Sequence, residues 1–138
     1  MSLYSERLAH LKREIQSNQS NRKKKRWKPN QKIMIDFING VTNKAVFQVK
    51  GKTLLLKQGN ESFGFKKIIV KHYNSNDLSA LDIVNISEVF ERGITLNEEG
   101  VSDNDNTVYN HTKDGKKRLL VTGKNELGEI VISYYRKT

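Results

Sequence analysis

Apolar residues near the N-terminus recur at helical spacing. Leu8, Leu11 and Ile15 lie three and four residues apart, which predicts a short helix over residues 5–16 with a narrow apolar stripe. The polar residues 17–21 break this pattern, so we expect the helix to end before them. Because the stripe is narrow, we expect the segment to contribute few apolar side chains to a core.

The pattern then changes to one that is typical of strands. Three runs have strand composition: residues 32–37, 44–49 and 53–57. The turn dipeptide Asn39-Gly40 separates the first two runs, and Gly51 separates the last two. This segment therefore predicts a three-stranded antiparallel meander.

Helical spacing returns between residues 64 and 73. Four side chains share one face, at i, i+3, i+4 and i+7: Phe65, Ile68, Ile69 and His72. Lys67 and Lys71 flank this face, so an anion brought to His72 meets positive charge. An imidazole in this position suits general acid–base chemistry near neutral pH. The alternative is a histidine that caps the helix and bonds a carbonyl oxygen.

A second helical region follows, and the chain then becomes rich in β patterns. Ser79 and Asp82 have capping-box spacing, and Gly93 is the expected end of this region. The acidic, apolar-poor residues 97–106 predict a loop. Three strands are predicted in the last third: residues 107–112, 116–122 and 129–136, the first two joined by the turn Asp114-Gly115.

Alternation along the last strand predicts two faces. The core face takes Ile130, Ile132 and Tyr134, and the other face takes Val131, Ser133 and Tyr135. One polar edge of the sheet can then gather four candidate functional side chains: His72, Arg118, Ser133 and Tyr135. The last three also have ordinary interpretations, as a surface arginine, a cross-strand serine and a half-buried tyrosine.

Composition excludes several classes of protein. The chain is 36% hydrophobic and 29% charged, so we expect part of it to be extended or exposed. It has no cysteine, which excludes a disulfide scaffold and thiolate metal sites, and its three histidines lack the carboxylate spacing of a metal centre. No apolar run is long enough for a membrane span, and the N-terminus lacks a signal-type region. We expect a soluble cytoplasmic protein without a metal or cofactor.

The net charge of +10 is concentrated near the N-terminus. Residues 1–32 carry ten Lys or Arg against two Glu, and the rest of the chain is nearly neutral. Six cations and one tryptophan occupy seven positions: Arg22, Lys23, Lys24, Lys25, Arg26, Trp27 and Lys28. This run predicts a phosphate-binding arm in which Trp27 stacks on a base. The alternative is a solubilising linker whose tryptophan packs on the domain.

The order of elements and three short motifs resemble the phage-associated nucleases of the barnase–EndoU–colicin–RelE group. The matching pieces are residues 64–72 (Gly-Phe-Lys-Lys-Ile-Ile-Val-Lys-His), residues 82–93 (Asp-Ile-Val-Asn-Ile running to Arg-Gly) and residues 131–136 (Val-Ile-Ser-Tyr-Tyr-Arg). The likeness covers residues 31–138 and leaves residues 1–30 as an N-terminal helix and basic arm. It implies a barnase/RelE-like α+β fold, with an antiparallel sheet and two or three helices, and metal-independent cleavage of RNA.

The resemblance also implies that His72 is the catalytic position. Cleavage through the 2′-OH needs a base, an acid and cations for the phosphorane charge. The candidates for these roles are His72 as acid or base, Arg118, Lys71, Lys67 and the weaker Arg136 for the phosphate, Ser133 and Tyr135 for positioning, and His111 as a reserve second acid–base group. One departure matters: many such sequences carry a second histidine where Lys67 stands, so a two-histidine pair is not assumed.

The expected partner is RNA, for instance tRNA or another structured RNA. An inhibitor or immunity protein is a further expected partner, and the resemblance implies a phage- or prophage-encoded protein of the host cytoplasm. The alternative is a non-catalytic phage or mobile-element nucleic-acid-binding protein, which explains the basic arm equally well. A protein-interaction module is the third class, and it would make the arm incidental.

Overall fold

The computed structural model describes residues 2–21, 26–74, 76–95 and 107–137 of the chain. Within these ranges the chain forms the α+β fold that the sequence predicts. The helices are α1 (Leu3–Asn21), α2 (Pro29–Ile38), α3 (Gly64–His72), α4 (Ala80–Val84) and α5 (Ile86–Arg92). The strands are β1 (Lys44–Val49), β2 (Lys52–Lys57), β3 (Ile94–Thr95), β4 (Thr107–Lys113), β5 (Lys116–Lys124) and β6 (Ile130–Lys137).

The described strands form one mixed sheet in the order β1-β2-β6-β5-β4-β3. The prediction of a purely antiparallel sheet is wrong at one pair, because β2 and β6 run parallel through Leu54 and Leu55 opposite Ile130 and Val131. A parallel pair needs a long crossover, and here that crossover contains α3 and all the elements up to β5. The first strands and the last strand therefore meet in the middle of the sheet.

Residues 29–38 form a helix, so the predicted strand at 32–37 is wrong. Pro29 occupies the first helical position, where its missing N–H costs nothing. Met34, Phe37 and Ile38 fall at i, i+3 and i+4 and are all buried. A helix turns all three toward the core, whereas a strand would divide them between two faces. The predicted meander is therefore only the hairpin β1–β2.

Helix α1 is longer than predicted and packs in the core. It begins at Leu3 and runs to Asn21, through the polar residues expected to end it. Leu11 and Ile15 are buried in the same cluster of apolar side chains as Phe37 and Phe65. The core therefore continues across the predicted division at residue 30.

The second helical region and the β-rich end agree closely with the sequence. The capping box is present, with the Ser79 side chain accepting from Asp82 N and the Asp82 carboxylate accepting from Ser79 N. Gly93 ends α5, and a Cβ there would lie 2.3 Å from the carbonyl oxygen of Val89, so a glycine is required. The three predicted C-terminal strands are confirmed, and the predicted acidic loop at 97–106 lies outside the described residues.

A bulge in β6 changes which side chains face the core. Val121 pairs with Tyr134 and Thr122 pairs with Ile132, so Ser133 is an extra residue on β6. Beyond it the alternation is reversed, and Tyr135 is fully buried in the core with Ile132. The predicted division of this strand into two faces is therefore wrong after Ser133.

Candidate active site

His72 is the last residue of α3, and two neighbours hold its ring. The predicted apolar stripe is confirmed, since Phe65, Ile68 and Ile69 are buried, and His72 ends it at a partly exposed position with a side chain that is 20% exposed. Its Nδ1 lies 2.8 Å from Oδ2 of Asp77. Its ring stacks on that of Tyr134, with centroids 5.9 Å apart and an interplanar angle of 20°. Because Asp77 occupies Nδ1, Nε2 is the nitrogen that remains for proton transfer.

The Asp77 carboxylate is itself held by strand β6. Its Oδ1 accepts the backbone N–H of Lys137 at 2.7 Å, while Oδ2 binds His72. The backbone N–H of Leu78 also donates to the carbonyl oxygen of His72 at 2.9 Å, which closes the loop between them. A carboxylate fixed in this way orients the imidazole, as the third group does behind an acid–base histidine.

Positive charge lies beside this pair. The Nζ of Lys67 is 4.4 Å from the centroid of the Tyr134 ring, in a cation–π contact. Lys71 is exposed on α3. Arg136 follows Tyr134 on the same face of β6, and its buried Nε makes no hydrogen bond within the described ranges. Lys67 therefore offers a cation beside the ring on which His72 stacks, and Arg136 is a second cation two residues farther along β6.

Arg118 is bound to a different carboxylate. Its Nε and Nη2 both lie 2.7 Å from Oδ1 of Asp82, and the Nζ of Lys137 lies 2.7 Å from Oδ2 of the same side chain. Burial alone would raise the pKa of Asp82, but hydrogen bonds from Lys137, Ser79 and Arg118 outweigh it and hold the pKa below its usual range. Arg118 and His72 therefore have different partners. Arg118 pairs with Asp82, whereas His72 contacts Asp77 and Tyr134.

Tyr135 and His111 lie on the Arg118 side of the fold. Tyr135 is fully buried, and its hydroxyl has no well-formed hydrogen bond within the part of the chain that the structure describes. Burial raises the pKa of this phenol. Tyr135, Arg118 and His111 line one small cavity, and Ser133 is half-buried at the bulge. The predicted polar edge thus forms two clusters, one around Asp77 and one around Asp82, which Lys137 joins through its backbone N–H and its Nζ.

The basic segment is only partly described. Arg22, Lys23, Lys24 and Lys25 lie outside the described residues, and Arg26 is exposed. Trp27 is half-buried and packs against the core. This position corresponds to the alternative in which the tryptophan packs on the domain.

Sequence reasoning missed Asp77 and Tyr134. Asp77 follows His72 by five residues, just beyond the helix end, and a carboxylate so close to a candidate histidine was a usable signal. Tyr134 gave no such signal, because its face depends on the bulge at Ser133.

No group of three or more side chains able to share a metal ion occurs within the described ranges, and no described helix is both long and apolar enough to cross a bilayer. No protein-family model matches the sequence, and a search of curated proteins finds no match either.

Proposed function

We propose that this protein is a metal-independent endoribonuclease of the barnase–EndoU–colicin–RelE type, with His72 as its acid–base group. The observation that carries the proposal is the 2.8 Å contact between His72 Nδ1 and Asp77 Oδ2. It leaves Nε2 of a partly exposed imidazole for a substrate. An oriented imidazole beside cations is the arrangement that proton transfer next to a phosphate requires.

The reaction uses the ribose of the RNA as the nucleophile. His72 Nε2 removes the proton of the 2′-OH, O2′ attacks the adjacent phosphorus, and the bond from phosphorus to O5′ breaks. The products are a 2′,3′-cyclic phosphate and a 5′-OH, with the leaving oxygen protonated from solvent. Lys67 and Arg136 stabilise the charge that develops on the phosphorane, and Lys71 adds to the local positive field.

The second candidate function is nucleic-acid binding without catalysis. It is favoured by the ten Lys or Arg among residues 1–32, a density that attracts polyanions by itself. It is also favoured by Arg118, because the ion pair with Asp82 removes one cation that the sequence offered for catalysis.

The deciding experiment compares two histidines. The full chain is incubated with RNA in EDTA, and 2′,3′-cyclic phosphate ends are measured, with DNA as the substrate that lacks the nucleophile. We expect His72→Gln to lose about 10²–10⁴-fold in cleavage while its folding and RNA affinity are kept. The matched control is His111→Gln, whose imidazole belongs to the other cluster, and it should cleave like the wild type. Undiminished cleavage by a folded His72→Gln variant would exclude the mechanism.

A further inference from the structure

A cavity of about 540 Å³ lies between α1 and the chain at residues 73–74 and 77–80. Asp77, which orients His72, forms part of its wall, and so does Lys137. Its volume falls within the range of about 300–1,000 Å³ that is usual for small-ligand sites. The cavity therefore adjoins the candidate active site and has α1 as its second wall.

The cations of this cavity are already bound. Arg7 donates through Nη1 to the carbonyl oxygens of Ile69, at 3.2 Å, and Val70. The Nζ of Lys137 is bound to Asp82 at 2.7 Å. A phosphate entering here would therefore compete with Asp82 for Lys137, and with two backbone carbonyl oxygens for Arg7, which keeps its charge.

Two carboxylates of the cavity are in no close ion pair among the described residues. Glu6 and Glu14 line the cavity from α1, and both are exposed. Among the described residues, the Glu14 carboxylate makes one long contact, 3.7 Å, with Nε2 of His10. These carboxylates repel a phosphate and accept hydrogen bonds from N–H groups.

The remaining lining that a ligand can contact consists of two rings and two apolar side chains. The rings of His10 and Tyr73 have centroids 5.7 Å apart, and His10 Nδ1 lies 2.7 Å from the Tyr73 hydroxyl. Burial, with a further effect from Glu14, raises the pKa of Tyr73 to about 12, so the phenol stays protonated at neutral pH. Leu78 and Ala80 supply apolar surface. A flat ligand that carries N–H donors fits these walls.

We infer that this cavity binds a nucleobase of the RNA and prefers a base with an exocyclic amino group. This inference rests on the proposed function, because RNA is the ligand that brings bases to His72. The base packs against Tyr73 and His10, and its amino group donates to Glu14 or Glu6. Uracil is disfavoured beside these carboxylates, because it has no exocyclic amino group and its one ring N–H donor lies between two carbonyl oxygens.

The test uses nucleosides, which lack a phosphate and cannot be cleaved. Adenosine, cytidine, guanosine and uridine are titrated into the full chain, and the ring resonances of His10 and Tyr73 are followed by NMR. We expect the three amino-bearing nucleosides to shift these resonances at lower concentration than uridine. The double substitution of Glu6 and Glu14 by Gln should weaken their binding about tenfold and reduce the preference. The matched control substitutes Gln for Glu61 and Glu126, which lie outside the cavity. It should leave both the affinity for the amino-bearing nucleosides and the preference over uridine unchanged.

Three results would each overturn the inference. They are equal binding of uridine, binding that leaves the ring resonances of His10 and Tyr73 unaffected, and no binding at the highest soluble concentration. The result is independent of the cleavage assay. Selective nucleoside binding together with full activity of His72→Gln would leave the base site standing and refute the nuclease mechanism. Loss of cleavage in His72→Gln together with no selective binding of nucleosides would refute the base site alone.

Discussion

Asp77 links the imidazole of His72 to strand β6 through its two oxygens. Oδ2 binds Nδ1 of His72 at 2.8 Å, and Oδ1 accepts the backbone N–H of Lys137 at 2.7 Å. The direction of the histidine ring is therefore determined by a strand that is far from α3 in sequence.

The first prediction is that Asp77→Asn lowers the rate of cleavage by up to about 10⁴-fold, the loss that follows when the carboxylate behind an acid–base histidine becomes an amide. The amide oxygen can still accept from Lys137, but its NH₂ group donates to Nδ1 instead of accepting a hydrogen bond from it, so the tautomer protonated on Nε2 is favoured. KM for RNA should change little. In the His72→Gln background the same substitution should add almost nothing, and a full additional loss there would show that Asp77 acts by another route.

The second prediction separates two adjacent tyrosines. Tyr135→Phe should leave cleavage unchanged and alter the free energy of unfolding by less than about 1 kcal/mol, because the hydroxyl has no well-formed hydrogen bond among the described residues. Tyr134→Leu should lower cleavage, because the ring that contacts both His72 and Lys67 is lost. Denaturant unfolding and the cleavage assay check both variants, and the reverse order of effects would restore the role first predicted for Tyr135.

The third prediction concerns acid stability. The folded-state pKa of Asp82 is lowered, so its contribution is fully present above the unfolded-state value of about 3.9 and is lost as the pH falls through the lower folded-state value. Asp82→Asn should reduce the free energy of unfolding at pH 7 by about 3–5 kcal/mol, because Arg118 and Lys137 are left unpaired. Its stability should also depend less on pH in the acid range than that of the wild type. The control is Asp36→Asn, at a half-buried position on α2, which removes a carboxylate that makes no ion pair among the described residues.

The fourth prediction concerns the contribution of helix α1 to stability. Leu11 is fully buried, so Leu11→Ala should lower the free energy of unfolding by about 2–5 kcal/mol. The matched control is Leu127→Ala, at a leucine that is 83% exposed, where the change should stay within about 0.5 kcal/mol. Equal, small effects in chemical denaturation would mean that α1 is dispensable to the fold.

The fifth prediction tests the basic segment without disturbing α1. Replacing its six cations (Arg22, Lys23, Lys24, Lys25, Arg26 and Lys28) by Gln should weaken binding to single-stranded RNA. About six phosphate contacts correspond to a slope near −4 in a plot of log K against log salt, and the variant should lose most of it. The control variant replaces Lys44, Lys50 and Lys52 by Gln. An unchanged salt slope in the variant of the basic segment would exclude an electrostatic role for that segment.

Local patterns in the sequence were enough to place most of the elements. The helical spacing of Phe65, Ile68 and Ile69, the capping box of Ser79 and Asp82, and the turn at Asp114-Gly115 depend on neighbours a few residues apart. Such signals determined α3, α4 and the C-terminal strands, and they identified His72. Residues 32–37 were mistaken for a strand, because a short apolar run fits either period and only burial against the core selects the helix.

The composition of the candidate site was decided by the tertiary structure. Asp77 meets His72 because β6 provides a backbone N–H that holds the carboxylate in place. Tyr134 takes the position that the sequence assigned to Tyr135, because one extra residue at Ser133 turns the rest of the strand over. Arg118 forms an ion pair with Asp82 instead, because a buried carboxylate is destabilising without a cation beside it. Sequence alone determined the local elements and the position of His72. Long-range pairing determined that Asp77 and Tyr134 are its partners, because register and burial depend on segments that are distant along the chain.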